Sequence, residues 1–205
     1  GQIVGEQVKV SLTDLGWDEN IDESVIVGLG SDGFIIFPSY TGSFSNLDVS
    51  NTIPLQGHHI DNLGQSVSQT SLVSNTVSGV DKVTATPLKG GNLLVGWQDN
   101  ASDTYLAQLI NENGNLISDN FLITEAYDEG VENENVSFAS FNDDSFLATW
   151  ASSSHPQSSI TFQRFDELGN KIGSQVDALD NHDGWLEESI AVTLNDNSFF
   201  IIWRA

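Results

Sequence analysis

Carboxylates raise the first chemical question. Asp14, Asp18, Glu19, Asp22 and Glu23 crowd one stretch, Glu125, Asp128, Glu129, Glu132 and Glu134 a second, and Asp177, Asp180, Asp183, Glu187 and Glu188 a third. Together they make up about half of the 29 acids. Gly16, Gly130 and Gly184 lie among them and let the backbone fold back, so each stretch offers the hard oxygen ligands that Ca²⁺ prefers. Calcium is the expected ion, with Asp14, Asp18, Asp22, Asp128, Glu129, Glu132, Asp180, Asp183 and Glu187 its expected ligands. Neither the regular EF-hand spacing nor the glycine-rich nonapeptide occurs, and a solvated acidic surface is the alternative reading of the same residues.

Two tryptophans fall inside these acidic stretches. Trp17 follows Gly16 and Trp185 follows Gly184, where each ring could offer a stacking face to a sugar or cap the edge of a sheet. Tyr40 lies in the Ser/Thr/Gly/Asn-rich stretch from Ser39 to Pro54, and His155 in Ser152-Ser153-Ser154-His155-Pro156; both join the expected ligand-binding set. His58 and His59 are neighbours on a strand and point to opposite faces, which prevents them from readily chelating one ion.

Signals for catalysis are sparse. No nucleophile elbow and no HExxH zinc motif occurs, and the absence of Cys removes thiolate chemistry. Asn142-Asp143-Asp144-Ser145 and Asn195-Asp196-Asn197-Ser198 are loosely similar to a sialidase Asp box, but their distance to the following Trp is wrong. Arg164 and Arg204 cannot build the arginine cluster such a site needs. The expectation is a protein that is not an enzyme.

The elements that must position these residues repeat. Phe165-Asp166-Glu167-Leu168-Gly169-Asn170-Lys171-Ile172-Gly173 recurs as Ile60-Asp61-Asn62-Leu63-Gly64-Gln65-Ser66-Val67-Ser68 and as Ile110-Asn111-Glu112-Asn113-Gly114-Asn115-Leu116-Ile117-Ser118, with a half-copy at Gly1 to Gly5. An apolar run ending in Trp97, Trp150 or Trp203 recurs in step with it, and Pro38 stands at that place in the first unit. A period of roughly fifty residues marks propellers, solenoids or arrays. β-Branched and aromatic residues fill the apolar runs, and Gly, Asn, Asp and Ser interrupt them at short intervals.

The fold expected is therefore all-β, a β-propeller-like array of about four units of four antiparallel strands, with a β-sandwich array as the alternative. The whole chain, 1–205, forms one repeat domain with units 1–63, 64–113, 114–168 and 169–205, the last incomplete. In the third unit the strands expected are Val136–Phe141, Phe146–Trp150, Ile160–Phe165 and Lys171–Leu179. Tight turns at Asn142–Ser145 and Asp166–Asn170 then share one end of the sheet, and the acidic connections share the other with the binding residues. The repeat tryptophans pack between neighbouring units.

Composition narrows the partners. A formal charge of −23 argues against nucleic acid and anionic membrane surfaces, and no apolar run is long enough for membrane insertion. With no Met and a start in the middle of a motif, the chain reads as a piece of a longer polypeptide whose open strand edges meet flanking repeats or a second copy.

Phe162 to Gly173, with an Asp-rich turn, an apolar strand and Trp150 upstream, resembles the repeats of large secreted bacterial proteins of the RTX and adhesin type. The resemblance implies an extracellular or cell-surface location, calcium dependence and a role in adhesion or ligand binding. The expected function is a non-catalytic binding or adhesion module that presents acidic loops to a glycan or cell-surface protein. The alternative is a structural, self-assembling repeat subunit, and a glycan-processing hydrolase ranks third.

Overall fold

The structure, a computed structural model, describes residues 23–29, 33–39, 55–71, 80–99, 102, 104–124, 131–133, 136–154 and 157–205. Among them every regular element is a strand, and the strands form four antiparallel sheets. The first holds β1 (Glu23–Gly28), β2 (Phe34–Ser39), β3 (Gln56–Ile60) and β4 (Ser66–Ser71). The second holds β5 (Val80–Pro87), β6 (Leu93–Asp99), β7 (Thr104–Ile110) and β8 (Phe121–Thr124). The third holds β9 (Val131–Asn133), β10 (Ser137–Ser140), β11 (Phe146–Ser154), β12 (Gln157–Phe165) and β13 (Lys171–Asp183). The fourth is the pair β14 (Glu188–Thr193) and β15 (Phe199–Arg204). Strands neighbour one another in chain order, and β9 continues the line of β10 along β11. The all-β class is as expected.

The repeated motif earns its recurrence through one turn. Asp61, Asn111 and Asp166 each use Oδ1 to accept the backbone N–H groups two and four residues ahead, at 2.8 to 3.0 Å. Gly64, Gly114 and Gly169 then take φ values of 80°, 78° and 87°, a region closed to most side chains. The turns between first and second strands repeat as well. The N–H groups of Leu29, Leu88, Phe141 and Leu194 each donate to the carbonyl four residues on, at 2.8 Å.

The sheets pack face to face in series. Val27, Ile35, Phe37 and Leu55 of the first meet Val83, Leu93, Val95 and Trp97 of the second. Leu94, Tyr105 and Leu109 of the second meet Phe138, Phe146, Trp150 and Phe165 of the third, where Phe146 and Phe165 stack with centroids 5.0 Å apart. Ala139, Phe141 and Leu147 of the third meet Ala191, Phe199 and Ile201 of the fourth. None of these clusters joins the first sheet to the fourth among the described residues. Trp97 and Trp150 are fully buried between sheets, as the repeat requires, but Trp203 is 43% exposed because the described fourth sheet has two strands and leaves its flank open.

Strands run further than their sequence suggests. β11 and β12 extend to Ser154 and from Gln157, and β13 continues to Asp183. Asp180 and Asp183, expected in a connecting loop beyond Leu179, are strand residues like Asp177. Pairing with β12 supplies the backbone hydrogen bonds that carry the strand on, and Thr161 Oγ1 donates to Asp177 Oδ1 at 2.8 Å. His58 and His59 occupy β3 and are both buried.

Candidate functional site

The first strands of the four sheets touch in series, β1 with β5, β5 with β10 and β10 with β14. Hydrogen bonds between their far ends align them. Thr86 Oγ1 donates to the Phe138 carbonyl at 3.5 Å and Thr193 Oγ1 to the Ser140 carbonyl at 2.6 Å. The turns that leave those ends are also joined, Gly90 N–H to Asp144 Oδ1 at 2.5 Å and Asn142 Nδ2 to the Asn195 carbonyl at 3.0 Å. With these ends side by side in the second, third and fourth sheets, the heads of the same strands also share one end of the molecule.

Three of the four first strands carry a carboxylic acid at or next to the head. Glu23 is the first residue of β1, Asp81 the second of β5 and Glu188 the first of β14. Their register partners are Ser39, Gln98 and Arg204, each the residue that follows the repeat position of Pro38, Trp97 or Trp203. The three acids are thus equivalent, one per sheet. In the third unit the residue at the same distance from the repeat Trp as Glu188 is Asn135, with Glu134 beside it, and both lie outside the described residues. In β5 a register irregularity between Asp81 and Thr84 admits one extra residue. Lys82 there takes φ 47°, and Tyr105 Oη donates to its carbonyl at 2.5 Å.

Acids at the opposite end do other work. Asp143 Oδ1 accepts from Ser145 Oγ at 2.5 Å, and Arg164 donates to Asp143 at 3.2 Å and to Ser145 Oγ at 2.8 Å while lying 4.4 Å from the centre of the Phe141 ring. Asp196 Oδ1 accepts from Ser198 Oγ at 2.5 Å. The side-chain bonds from Ser145 and Ser198 hold Asp143 and Asp196 below the usual carboxylate range. Burial works to raise Asp166, but hydrogen bonds from Asn170, Leu168 and Gly169 outweigh it and lower it too. These runs, loosely similar to an Asp box, are turn braces.

Of the residues expected to bind, Trp17, Tyr40, His155, Asp14, Asp18, Asp22, Asp128 and Glu129 lie outside the described residues. Glu132 belongs to β9, and Asp180 and Asp183 are exposed along β13. Glu187 is exposed and forms an ion pair with Arg204. Among the described residues no group of three or more His, Asp or Glu gathers where a metal could be held. Trp185 lies between β13 and β14 and is 59% exposed. The strand-head acids were missed as a set, although Glu23-Ser24-Val25-Ile26-Val27 and Glu188-Ser189-Ile190-Ala191-Val192 share a pattern that could have flagged them.

No protein-family model and no curated protein matches this chain. Among solved structures it is similar to the crystal structure of an endo-arabinase from Bacteroides thetaiotaomicron VPI-5482. The two are 13% identical with a TM-score of 0.51, over 89% of this chain and 69% of that one.

That likeness corrects the expectation of a non-enzyme. The expected non-catalytic binding or adhesion module is not what the similar fold carries, since that solved structure is an endo-arabinase. The physical reason is that carboxylate chemistry needs no local motif. The acids of such chemistry can come from separate strands, so no run of neighbouring residues need mark them.

Proposed function

We propose that this chain is a glycan-cleaving module of the glycoside hydrolase class, its sheets set as blades around an axis in an open, propeller-like arrangement. The observation that carries the reading is the repeated acid at the head of the innermost strand, Glu23, Asp81 and Glu188, at equivalent register positions. Serial contact between those first strands supports the blade arrangement, since a strand nearest an axis meets its equivalents on both sides. The likeness to an endo-arabinase supports the class of substrate.

Glycoside cleavage asks for two carboxyl groups across the scissile bond. One, protonated, gives its proton to the leaving oxygen, and the other, ionised, activates water or attacks the sugar carbon. Acids borne on different blades suit this work, because the two carboxyl groups must stand on either side of the scissile bond and separate strands can supply one each.

Release of reducing ends from arabinan and a panel of other polysaccharides tests the reading. Glu23→Gln, Asp81→Asn and Glu188→Gln are each to be compared with the wild-type chain. Substituting either of the two acids that act should cost about 10²- to 10⁴-fold in rate. A folded wild-type protein that releases nothing, or full activity in all three variants, would overturn it.

A further inference from the structure

Trp185 stands three residues ahead of Glu188, on the connection that enters the end where the strand heads gather. Its side chain is 59% exposed. Its backbone is held on both sides. Ser158 Oγ donates to the Gly184 carbonyl at 2.6 Å, and Gly184 takes φ 116°, where a side chain with a Cβ would be strained. Leu186, the next residue, is buried with Ala151 and Ile160, and the Glu187 N–H donates to the Arg204 carbonyl at 3.2 Å. An indole placed outward on a pinned backbone loses little freedom when a ring stacks on it.

We propose that Trp185 is a sugar-stacking platform beside the strand heads and that the glycan it takes is uncharged; this rests on the glycan-cleaving reading above. The C–H face of a pyranose or furanose ring is the apolar surface an indole fits, with its hydroxyls left to water. The exclusion of anionic glycans follows from charge. Asp183, Glu187 and Glu188 flank Trp185 and are exposed, and with Arg204 paired to Glu187 the acids still outnumber that cation, on a chain of net charge −23, so a uronate chain meets repulsion where a neutral one does not.

Affinity electrophoresis and calorimetry with neutral arabinan and with polygalacturonate, on the wild-type chain and on Trp185→Ala and Trp185→Phe, test this at low salt. Arabinan should bind the wild-type chain, about tenfold more weakly the Ala variant and almost unchanged the Phe variant, and polygalacturonate should not bind. Circular dichroism of each variant checks that it is folded. Equal arabinan binding by wild type and Trp185→Ala overturns the platform, as does the absence of arabinan binding, and polygalacturonate bound as tightly as arabinan overturns the charge rule. Cleavage by the wild-type chain is read separately. A chain that cuts glycan but binds it without Trp185 sinks the platform and keeps the hydrolase, and one that binds through Trp185 but cuts nothing does the reverse.

Discussion

Asp144 of the third sheet accepts the Gly90 backbone N–H of the second through Oδ1 at 2.5 Å, and it does so from a left-handed backbone with φ 62°. One residue thus turns a hairpin and ties two sheets. Asp144→Ala keeps a Cβ at positive φ and loses the bond, and should destabilise by about 1–3 kcal/mol. Asp144→Asn retains an acceptor and a residue tolerant of that φ, so it should stay close to wild type. Chemical denaturation of the pair measures the difference, and equal midpoints would remove the inter-sheet role.

Gly169 and Gly173 separate backbone strain from steric contact. Both have positive φ, 87° and 71°, but a Cβ on Gly169 would come within 2.6 Å of the Phe121 ring in the second sheet, while one on Gly173 meets nothing within 4 Å. Gly173→Ala should cost about 1 kcal/mol from strain alone. Gly169→Ala adds overpacking of about 1–3 kcal/mol. The order of the two in thermal unfolding checks the contact.

Leu147 and Phe200 hold the same place in the repeat, the second residue of β11 and of β15. Leu147 is fully buried against the fourth sheet, and Phe200 is 60% exposed on a face it shares with Ile190 and Ile202. Leu147→Ala should cost about 2–5 kcal/mol. Phe200→Ala should shift stability by no more than about 0.5 kcal/mol. Comparable losses at both sites would mean that the outer face of the fourth sheet is covered.

Acid should destabilise the protein in two stages. Burial lowers the pKa of His58 from 6.5, so the unfolded chain takes up that proton first, and stability falls as pH drops below about 6.5. Asp143, Asp166 and Asp196 have folded pKa values below 3.8, so the stability they add is present above that value and is lost as pH falls through their lowered values. Replacing His58 with Gln should flatten the first stage and leave the second. Denaturation midpoints between pH 8 and pH 3 report both; a profile unchanged by His58→Gln would remove the histidine from the account.

Much of the fold is written locally. The turns at Asp61, Asn111 and Asp166 close within five residues through one side chain, and their glycines mark the left-handed position, so order along the chain suffices to read them. Trp97 and Trp150 were legible for the same reason, since a bulky ring at a fixed step in an apolar strand has to be buried by whatever packs on it. Chain order alone did not reveal that β13 absorbs Asp180 and Asp183, because pairing with β12 carries the strand past the point where composition suggests a loop. Nor did it align Glu23, Asp81 and Glu188. These acids are far apart in the chain, and β5 inserts an extra residue beside Asp81, so their equivalence emerges only when each is paired across its own sheet with Ser39, Gln98 or Arg204. The amino-acid sequence by itself determined the strands, the turns and the repeat, because those depend on neighbours a few residues away. Tertiary structure alone decided which acids occupy equivalent strand positions, because that depends on the register of strands across each sheet.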